Sequence, residues 1–168
     1  MNKCYAGIGS RETPKDVQVA MKELASDLGW FGWTLRSGAA DGADAAFESG
    51  LLQHHPREIY LPWPRFNSHP SPLHDVCDEA MVIARAMHPH WDKLGSGARL
   101  LHGRNTYQVL GLTLDAPVQC VICWTPGGKG GGGTGQALRL AKSRSIPIFD
   151  LALWPVDSVR LALGLPRH

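Results

Sequence analysis

Apolar residues along the chain follow two alternating patterns. Short uninterrupted apolar runs, such as 118–124, are typical of strands that are buried on both faces of a parallel sheet. Between these runs, apolar residues recur at helical spacing, as at Val17, Met21, Leu24 and Leu28. Strands are predicted at 3–8, 33–35, 58–61, 118–124 and 146–149. Helices are predicted at 14–28, 41–52, 75–87, 97–112, 134–143 and 156–163.

The alternation of strands and helices predicts the fold class. It indicates an α/β protein with an open, mostly parallel sheet of about five strands flanked by helices. Residues 1–168 contain no internal repeat and no linker, so a single domain is predicted. The segment 62–72 holds four prolines and no periodicity, which predicts a loop. This loop is either functional or a surface insertion.

Composition adds one local feature. Glycine accounts for 19 of the 168 residues, roughly 11% against a usual ~7%. Seven of these glycines fall within 127–135. Hydrophobic residues make up 43% of the chain, enough for a core, so the glycine excess indicates one specialised loop rather than a flexible protein.

The charge distribution and the cysteine content indicate which binding partners and which cellular compartment to expect. The net charge is only +2, but residues 101–168 hold 7 basic and 3 acidic groups, which suits a phosphate-bearing partner. No apolar run reaches the ~18 residues of a membrane span. Cys120 and Cys123 would point to opposite faces of a strand, and the N-terminus has no signal-peptide pattern. We therefore expect a reduced cytoplasmic protein without a metal, a cofactor or a membrane partner.

Segments that follow predicted strands hold the candidate chemistry, because ligands of open α/β sheets bind at the carboxyl ends of the strands. After the first strand, Gly9 allows close backbone approach, and Ser10 and Arg11 can hold a phosphate. This segment alone is weak evidence, because a plain turn between a strand and a helix also uses glycine and serine.

The segment after the second strand combines small residues with carboxylates. Ser37 and Gly38 are predicted to line the floor of a pocket. Asp41 and Asp44 share a helix face if the helix starts early. Their carboxylates either compensate the helix dipole, or contact a ribose or act as a base.

The glycine-rich segment 126–136 follows the most apolar strand and opens a helix. In this setting, backbone N–H groups and a helix dipole bind an anion. It is not a P-loop, because Lys129 precedes the main glycine run instead of following it. Residues 129–131 fit a disordered loop tip as well as they fit an anion-binding loop. Residues 132–135 must instead lead directly into the helix. In the helix before this strand, Arg104 and Asn105 form a polar pair on a largely apolar background.

Two sets of motifs resemble known families. The run 5–11, Tyr-Ala-Gly-Ile-Gly-Ser-Arg, and the run 37–46, Ser-Gly-Ala-Ala-Asp-Gly-Ala-Asp-Ala-Ala, resemble DNA-processing protein A (DprA, or Smf). Arg104-Asn105, with Pro-Gly-Gly at 126–128 and Gly-Gly-Thr-Gly at 132–135, resembles the LOG family of lysine-decarboxylase-like phosphoribohydrolases. The resemblance covers about 1–150 and is closest to stand-alone DprA-like proteins of bacteriophages. It implies a Rossmann-like nucleotide-binding domain.

The resemblance implies less about activity. LOG enzymes use a glutamate after the glycine motif, together with an upstream arginine, to cleave a nucleotide N-glycosidic bond. Arg104 matches the arginine, but the glutamate position falls on Ala137, next to Gln136. Another carboxylate, such as Asp44, Asp41 or Glu48, would have to replace it.

The leading hypothesis is a protein that binds, and either hydrolyses or sequesters, a nucleoside monophosphate or a nucleotide-derived signal. Asp44 and Arg104 are the predicted catalytic residues. The predicted nucleotide- and phosphate-binding residues are Gly9, Ser10, Arg11, Ser37, Gly38, Asp41, Asn105, Gly132, Gly133, Thr134 and Gly135. The alternative is a DprA-like recombination mediator that binds single-stranded DNA. The superfamily that contains the DprA and LOG families often dimerises. A homo-oligomer is therefore compatible with both hypotheses.

Overall fold

The computed structural model describes residues 2–166, which contain the predicted strands and helices in the predicted order. The strands are β1 (Cys4–Gly7), β2 (Thr34–Ser37), β3 (Arg57–Ile59), β4 (Cys120–Cys123) and β5 (Ile148–Asp150). The helices are α1 (Lys15–Trp30), α2 (Ala43–Ser49), α3 (Asp78–Ala86), α4 (Ser96–Leu110), α5 (Gly135–Ser143) and α6 (Val156–Ala162). Within this part of the chain, no helix is both long and apolar enough to cross a membrane.

The strands form a parallel sheet in the order β3-β2-β1-β4-β5. The central strand β1 pairs on one side with β2 and on the other with β4, so that Tyr5 lies beside both Leu35 and Cys120. Parallel neighbours need long crossover connections, which the helices supply. The open parallel α/β sheet predicted from the sequence is confirmed.

Helices cover both faces of the sheet, and each face has its own apolar core. On one face, α1 contacts α2 and α6; on the other, α4 contacts α3 and α5. Strand β4 serves both cores, because Cys120 and Ile122 join the first cluster while Val121 and Cys123 join the second. The two cysteines therefore point to opposite faces, as predicted.

The strand order reverses between β1 and β4, and this reversal positions the site. The chain builds outward from β1 to β3 and then returns to the other side of β1 with β4. The loops that follow β1 and β4 therefore diverge and leave a crevice at the carboxyl ends of these strands. The loop after β2 lies beside this crevice.

The connection between β3 and α3 is longer than predicted, because α3 begins at Asp78 and not at residue 75. The connection returns along the edge of the sheet: Leu61 N–H donates to Leu73 O at 2.7 Å, and the Ser71 hydroxyl donates to Ile59 O at 2.6 Å. It covers the outer edge of β3.

Candidate functional site

A cleft of about 650 Å³ opens at the carboxyl ends of β1 and β4. It is lined by the loop after β1, the start of α2, one side of α4, the glycine loop (residues 126–134) and the start of α5. Pockets of roughly 300–1,000 Å³ hold small-molecule ligands and cofactors. The cleft therefore has room for a ligand of that size.

The loop after β1 must pass close to the loop after β4, which explains its glycine. Gly9 has a φ of 153°, and a Cβ there would lie 2.8 Å from the carbonyl oxygen of Trp124. Ser10 N–H donates to the same Trp124 oxygen at 3.0 Å. The backbone of Ser10 also accepts from Ala43 N–H at 3.3 Å, so this loop connects β4 to the start of α2. Arg11 follows on an exposed wall of the cleft.

Asp44 and Arg104 form the buried, charged floor of the cleft, each exposing only 4% of its surface. Asp44 lies in the first turn of α2 and accepts a long hydrogen bond from Ala40 N–H at 3.4 Å. Arg104, on α4, donates to the carbonyl oxygens of Gly38 and, at 3.1 Å, Tyr60. The guanidinium is therefore held against the ends of β2 and β3.

Burial dominates the protonation equilibria of this pair. Desolvation raises the pKa of Asp44 to about 6, although the positive charges of Arg104 and Arg11 oppose the shift. Desolvation also lowers the pKa of Arg104 to about 10, against the attraction of Asp44. The folded protein thus holds a carboxylate that titrates near neutral pH beside an arginine that stays protonated there. Such perturbed groups in a cleft are typical of functional sites.

The long β3–α3 connection contacts Arg104 and the backbone segment that donates to Asp44. The ring of Phe66 lies 5.6 Å from the Arg104 guanidinium carbon. Asn67 donates to Ala39 O at 2.9 Å, next to the Ala40 N–H that binds Asp44. Arg65, Asn67 and Ser68 have left-handed backbone angles, a conformation that is strained for residues other than glycine. The predicted 62–72 loop therefore contributes to the support of the charged floor.

The glycine loop forms the opposite wall. Short 3₁₀ turns at Pro126–Gly128 and Gly132–Thr134 lead into α5, whose N-terminus lies at the cleft. Asn105 on α4 donates from its amide to Gly133 O at 3.2 Å. Its own amide oxygen accepts from Arg104 Nε at 3.0 Å. Asn105 thus connects the charged floor to the glycine loop.

The structure brings most of the predicted site residues together. Those that line the cleft are Gly9, Ser10, Arg11, Asp44, Arg104, Asn105, Gly132, Gly133 and Thr134.

The remaining four predicted residues lie around this group rather than on its surface. Ser37 is buried and donates from its hydroxyl to Gly7 O at 2.6 Å, while Gly38 is buried beneath the Arg104 guanidinium. Gly135 is buried below the glycine loop. Asp41 is exposed and precedes α2, which begins only at Ala43. It therefore does not share a helix face with Asp44.

The predicted site included Arg104 and Asn105 on α4 but missed His102 and Gln108. All residues from His102 to Leu110 are buried, and His102 and Gln108 line the cleft beside Arg104 and Asn105. Burial, together with His88 and Arg139, lowers the pKa of His102 to about 4, so its ring is neutral at pH 7. The sequence did contain a signal for these residues, because polar side chains recur along a helix that other helices and the sheet were expected to bury. Buried polar side chains usually have a hydrogen-bond partner or a functional role.

Two glycine substitutions test how tightly the floor is packed. A Cβ on Gly38 would overlap the Arg104 guanidinium and the Gln108 amide, whereas a Cβ on Gly131 meets nothing within 4 Å. Gly131 has a φ of −89°, which alanine adopts freely. We expect Gly38→Ala to lower the free energy of unfolding by about 2 kcal/mol and Gly131→Ala to change it by less than about 0.5 kcal/mol. Urea unfolding compares the two, and equal stabilities would contradict this packing.

Comparison with known proteins supports the fold. No protein-family model matches the chain, and no curated protein matches it significantly. The chain is similar to DNA processing protein A from Helicobacter pylori, solved in a study of its single-stranded DNA binding, with 15% identity and a TM-score of 0.54 over 99% of this chain and 74% of that one. It is also similar to the molybdenum cofactor carrier protein of Chlamydomonas reinhardtii, with 15% identity and a TM-score of 0.45 over 96% of each chain. The first likeness confirms the DprA-like, Rossmann-like fold.

Proposed function

We propose that the cleft binds a nucleotide or a nucleotide-derived small molecule. The observation that carries this proposal is that the buried Asp44 and Arg104 face the same cavity as Arg11 and the glycine loop. A ligand in that cavity meets cations and backbone amides on its walls and a carboxylate at its floor. A phosphorylated sugar has groups that suit all three.

The phosphate is assigned to the wall formed by Gly132, Gly133, Thr134 and the start of α5. Backbone N–H groups and the positive end of a helix dipole attract anions at such a position. Arg11 faces the same cavity from the loop after β1, and its guanidinium can donate two parallel hydrogen bonds to phosphate oxygens. The exposed Lys129 adds a further positive charge at the rim.

The ribose is assigned to Asp44. A carboxylate accepts hydrogen bonds from sugar hydroxyl groups. Asp44 has backbone hydrogen bonds from Ala40 and Gly38, which a ligand could supplement. Arg104 lies beside it as a fixed positive charge for a phosphate or a leaving group. This arrangement uses the buried pair without requiring either side chain to leave its position.

The enzymatic form of the proposal is hydrolysis of the N-glycosidic bond of a nucleotide. Asp44 and Glu12 are the carboxylates among the described residues that line the cleft. Glu12 is exposed, and Ala137 occupies the position of the LOG glutamate. Ionised Asp44 would take a proton from a water that attacks C1′, and the base would leave with the bonding electrons. The base would then take up a proton from solvent, which balances the proton that Asp44 releases. A pKa near 6 is suited to a general base at neutral pH.

Titration calorimetry with AMP, GMP, CMP and UMP tests the binding proposal, with the matching nucleosides as controls. We expect at least one nucleotide to bind about tenfold or more tightly than its nucleoside, because the phosphate forms charge-assisted hydrogen bonds. Arg11→Ala should remove most of this difference, whereas Lys15→Ala, an exposed residue outside the lining, should leave it unchanged. Equal affinities for nucleotides and nucleosides would contradict the proposal.

Chromatography of the same mixtures separates hydrolysis from sequestration. Release of free base by the wild type, and its loss in Asp44→Ala, supports the hydrolase. Recovery of intact nucleotide after tight binding supports a protein that only sequesters its ligand.

A second candidate function is binding of single-stranded DNA. It is supported by the similar fold of the Helicobacter pylori protein, described as binding single-stranded DNA, and by the exposed Arg11 and Lys129 at the cleft. This function predicts binding of oligo-dT that weakens with salt, with a slope set by the number of phosphates neutralised. Unchanged oligo-dT mobility at low salt would exclude it.

A further inference from the structure

We propose that Thr125 and Asp150 are positioning residues that hold the glycine loop in the form that lines the cleft. The consequence for ligand affinity rests on the proposed function, while the effect on the loop itself does not. Both residues lie at the carboxyl ends of neighbouring strands, since Thr125 follows β4 and Asp150 ends β5. Neither lines the cleft.

Asp150 is a buried carboxylate whose oxygens are bound by neutral donors. It exposes 6% of its surface. One oxygen accepts from Thr125 N–H at 3.2 Å and from Ala152 N–H at 3.0 Å. The other accepts from the Thr125 hydroxyl. The Cys123 thiol also donates to Asp150, so four donors converge on one side chain and fix where the chain leaves β4.

Thr125 transmits this fixed position to the glycine loop. Its side chain is fully buried, and its hydroxyl oxygen accepts from Gly130 N–H at 2.9 Å while its proton goes to Asp150. Its carbonyl oxygen accepts from Gly128 N–H, also at 2.9 Å. One hydroxyl group therefore acts as donor and acceptor at once, and it links the edge strand to the middle of the loop.

Residues 131–133 of the loop have no side-chain packing that could hold them in place. Even a Cβ added at Gly131, Gly132 or Gly133 would meet no atom within 4 Å. Glycine also loses more backbone freedom than any other residue when it is ordered. The loop is therefore held at its start by Thr125 and near its end by the Asn105 contact with Gly133. Removing the first anchor should let the loop sample other forms, and a ligand would then have to order it on binding.

The matched variants are Thr125→Val and Thr125→Ser. Valine keeps the shape and suits the extended backbone of residue 125, which has φ −127° and ψ 149°, but it has no hydroxyl. Serine keeps the hydroxyl and should restore the anchor. Asp150→Ala, which removes both acceptor oxygens that fix Thr125, is a second way to weaken the anchor if Thr125→Val fails to fold.

Limited trypsin digestion reads the loop directly, because the bond Lys129–Gly130 lies inside it. The bond Arg65–Phe66, in the separate β3–α3 connection, serves as the internal control. We expect Thr125→Val to speed cleavage after Lys129 about tenfold, with cleavage after Arg65 unchanged and Thr125→Ser close to wild type. The affinity for the best of the four nucleotides should fall by a similar factor in Thr125→Val only.

Unchanged cleavage after Lys129, or equal acceleration at both bonds, would overturn the proposal, because the loss would then be absent or global. Faster cleavage after Lys129 with unchanged nucleotide affinity would overturn its functional half. If the wild type binds no nucleotide, the proposed function fails, while the digestion still decides whether Thr125 anchors the loop.

Discussion

Replacing Arg104 with methionine is expected to abolish measurable nucleotide binding and to lower the free energy of unfolding by about 3 kcal/mol. Methionine retains the apolar stem but leaves Asp44 buried without its neighbouring cation. It also removes the donors that bind the Gly38 and Tyr60 carbonyl oxygens. A buried acceptor that loses its partner costs about 1–3 kcal/mol. Urea unfolding and titration calorimetry measure the two effects.

The control is Arg85→Met, on the exposed surface of α3, where the ion pair with Asp92 is solvated. It should change stability by less than about 0.5 kcal/mol. The double variant Arg104→Met with Asp44→Asn should regain part of the stability lost in the single variant, because the uncompensated carboxylate is gone, but it should not regain binding. Equal stability of Arg104→Met and wild type at pH 7 would show that the two side chains do not act as a pair.

Replacing Asp44 with asparagine should stabilise the unliganded protein while weakening ligand binding. The folded protein binds the Asp44 proton more tightly than the unfolded chain does, because burial raises the pKa from 3.8 to about 6. Protonated Asp44 therefore contributes its full stabilisation of the folded state below about pH 4, and this stabilisation is lost as the pH rises from about 4 to 6. Above pH 6 the ionised carboxylate destabilises the fold by about 3 kcal/mol.

Asparagine resembles the protonated acid and does not ionise. The stability gain of Asp44→Asn should therefore be near zero below pH 4 and should approach about 3 kcal/mol at pH 8. Asp41→Asn, at an exposed position just before α2, is the matched control and should change the stability at pH 8 by less than about 0.5 kcal/mol. A stability difference between Asp44→Asn and wild type that does not change with pH would contradict the buried ionisation.

Because Asp44 destabilises the fold at neutral pH, its presence is best explained by a role in ligand binding. Stability and activity commonly oppose each other at functional sites, because a site must hold charged groups ready for a ligand. A gain in stability accompanied by a loss of nucleotide affinity in Asp44→Asn would show this opposition directly. A gain in stability with unchanged affinity would leave Asp44 without a role in binding.

Local signals in the sequence were sufficient to predict the fold and the three loops that line the candidate site. Apolar runs and helical spacing depend on neighbours along the chain, so the predicted β4 and α5 appeared where the structure has them. The position of Gly9 and the glycine loop after their strands then brought Arg11 and Thr134 to one cleft, because parallel strands end at the same edge.

Contacts between distant segments could not be predicted in this way. Gly42 has a φ of 79° and delays the start of α2, which separates Asp41 from Asp44. Thr125 and Asp150 are 25 positions apart and meet only because β4 and β5 are neighbours. Phe66 reaches Arg104 from a segment without periodicity. Each depends on tertiary packing, which no local pattern encodes.

The most direct test of the central claim is a crystal structure of the protein soaked with the nucleotide that binds most tightly in calorimetry. We expect electron density for the phosphate between Arg11 and the Gly132–Thr134 turn, with the ribose within hydrogen-bonding distance of Asp44. Density for the nucleotide outside this cleft, or in it with the phosphate turned away from the glycine loop, would show that the glycine loop and Asp44 do not form the nucleotide site.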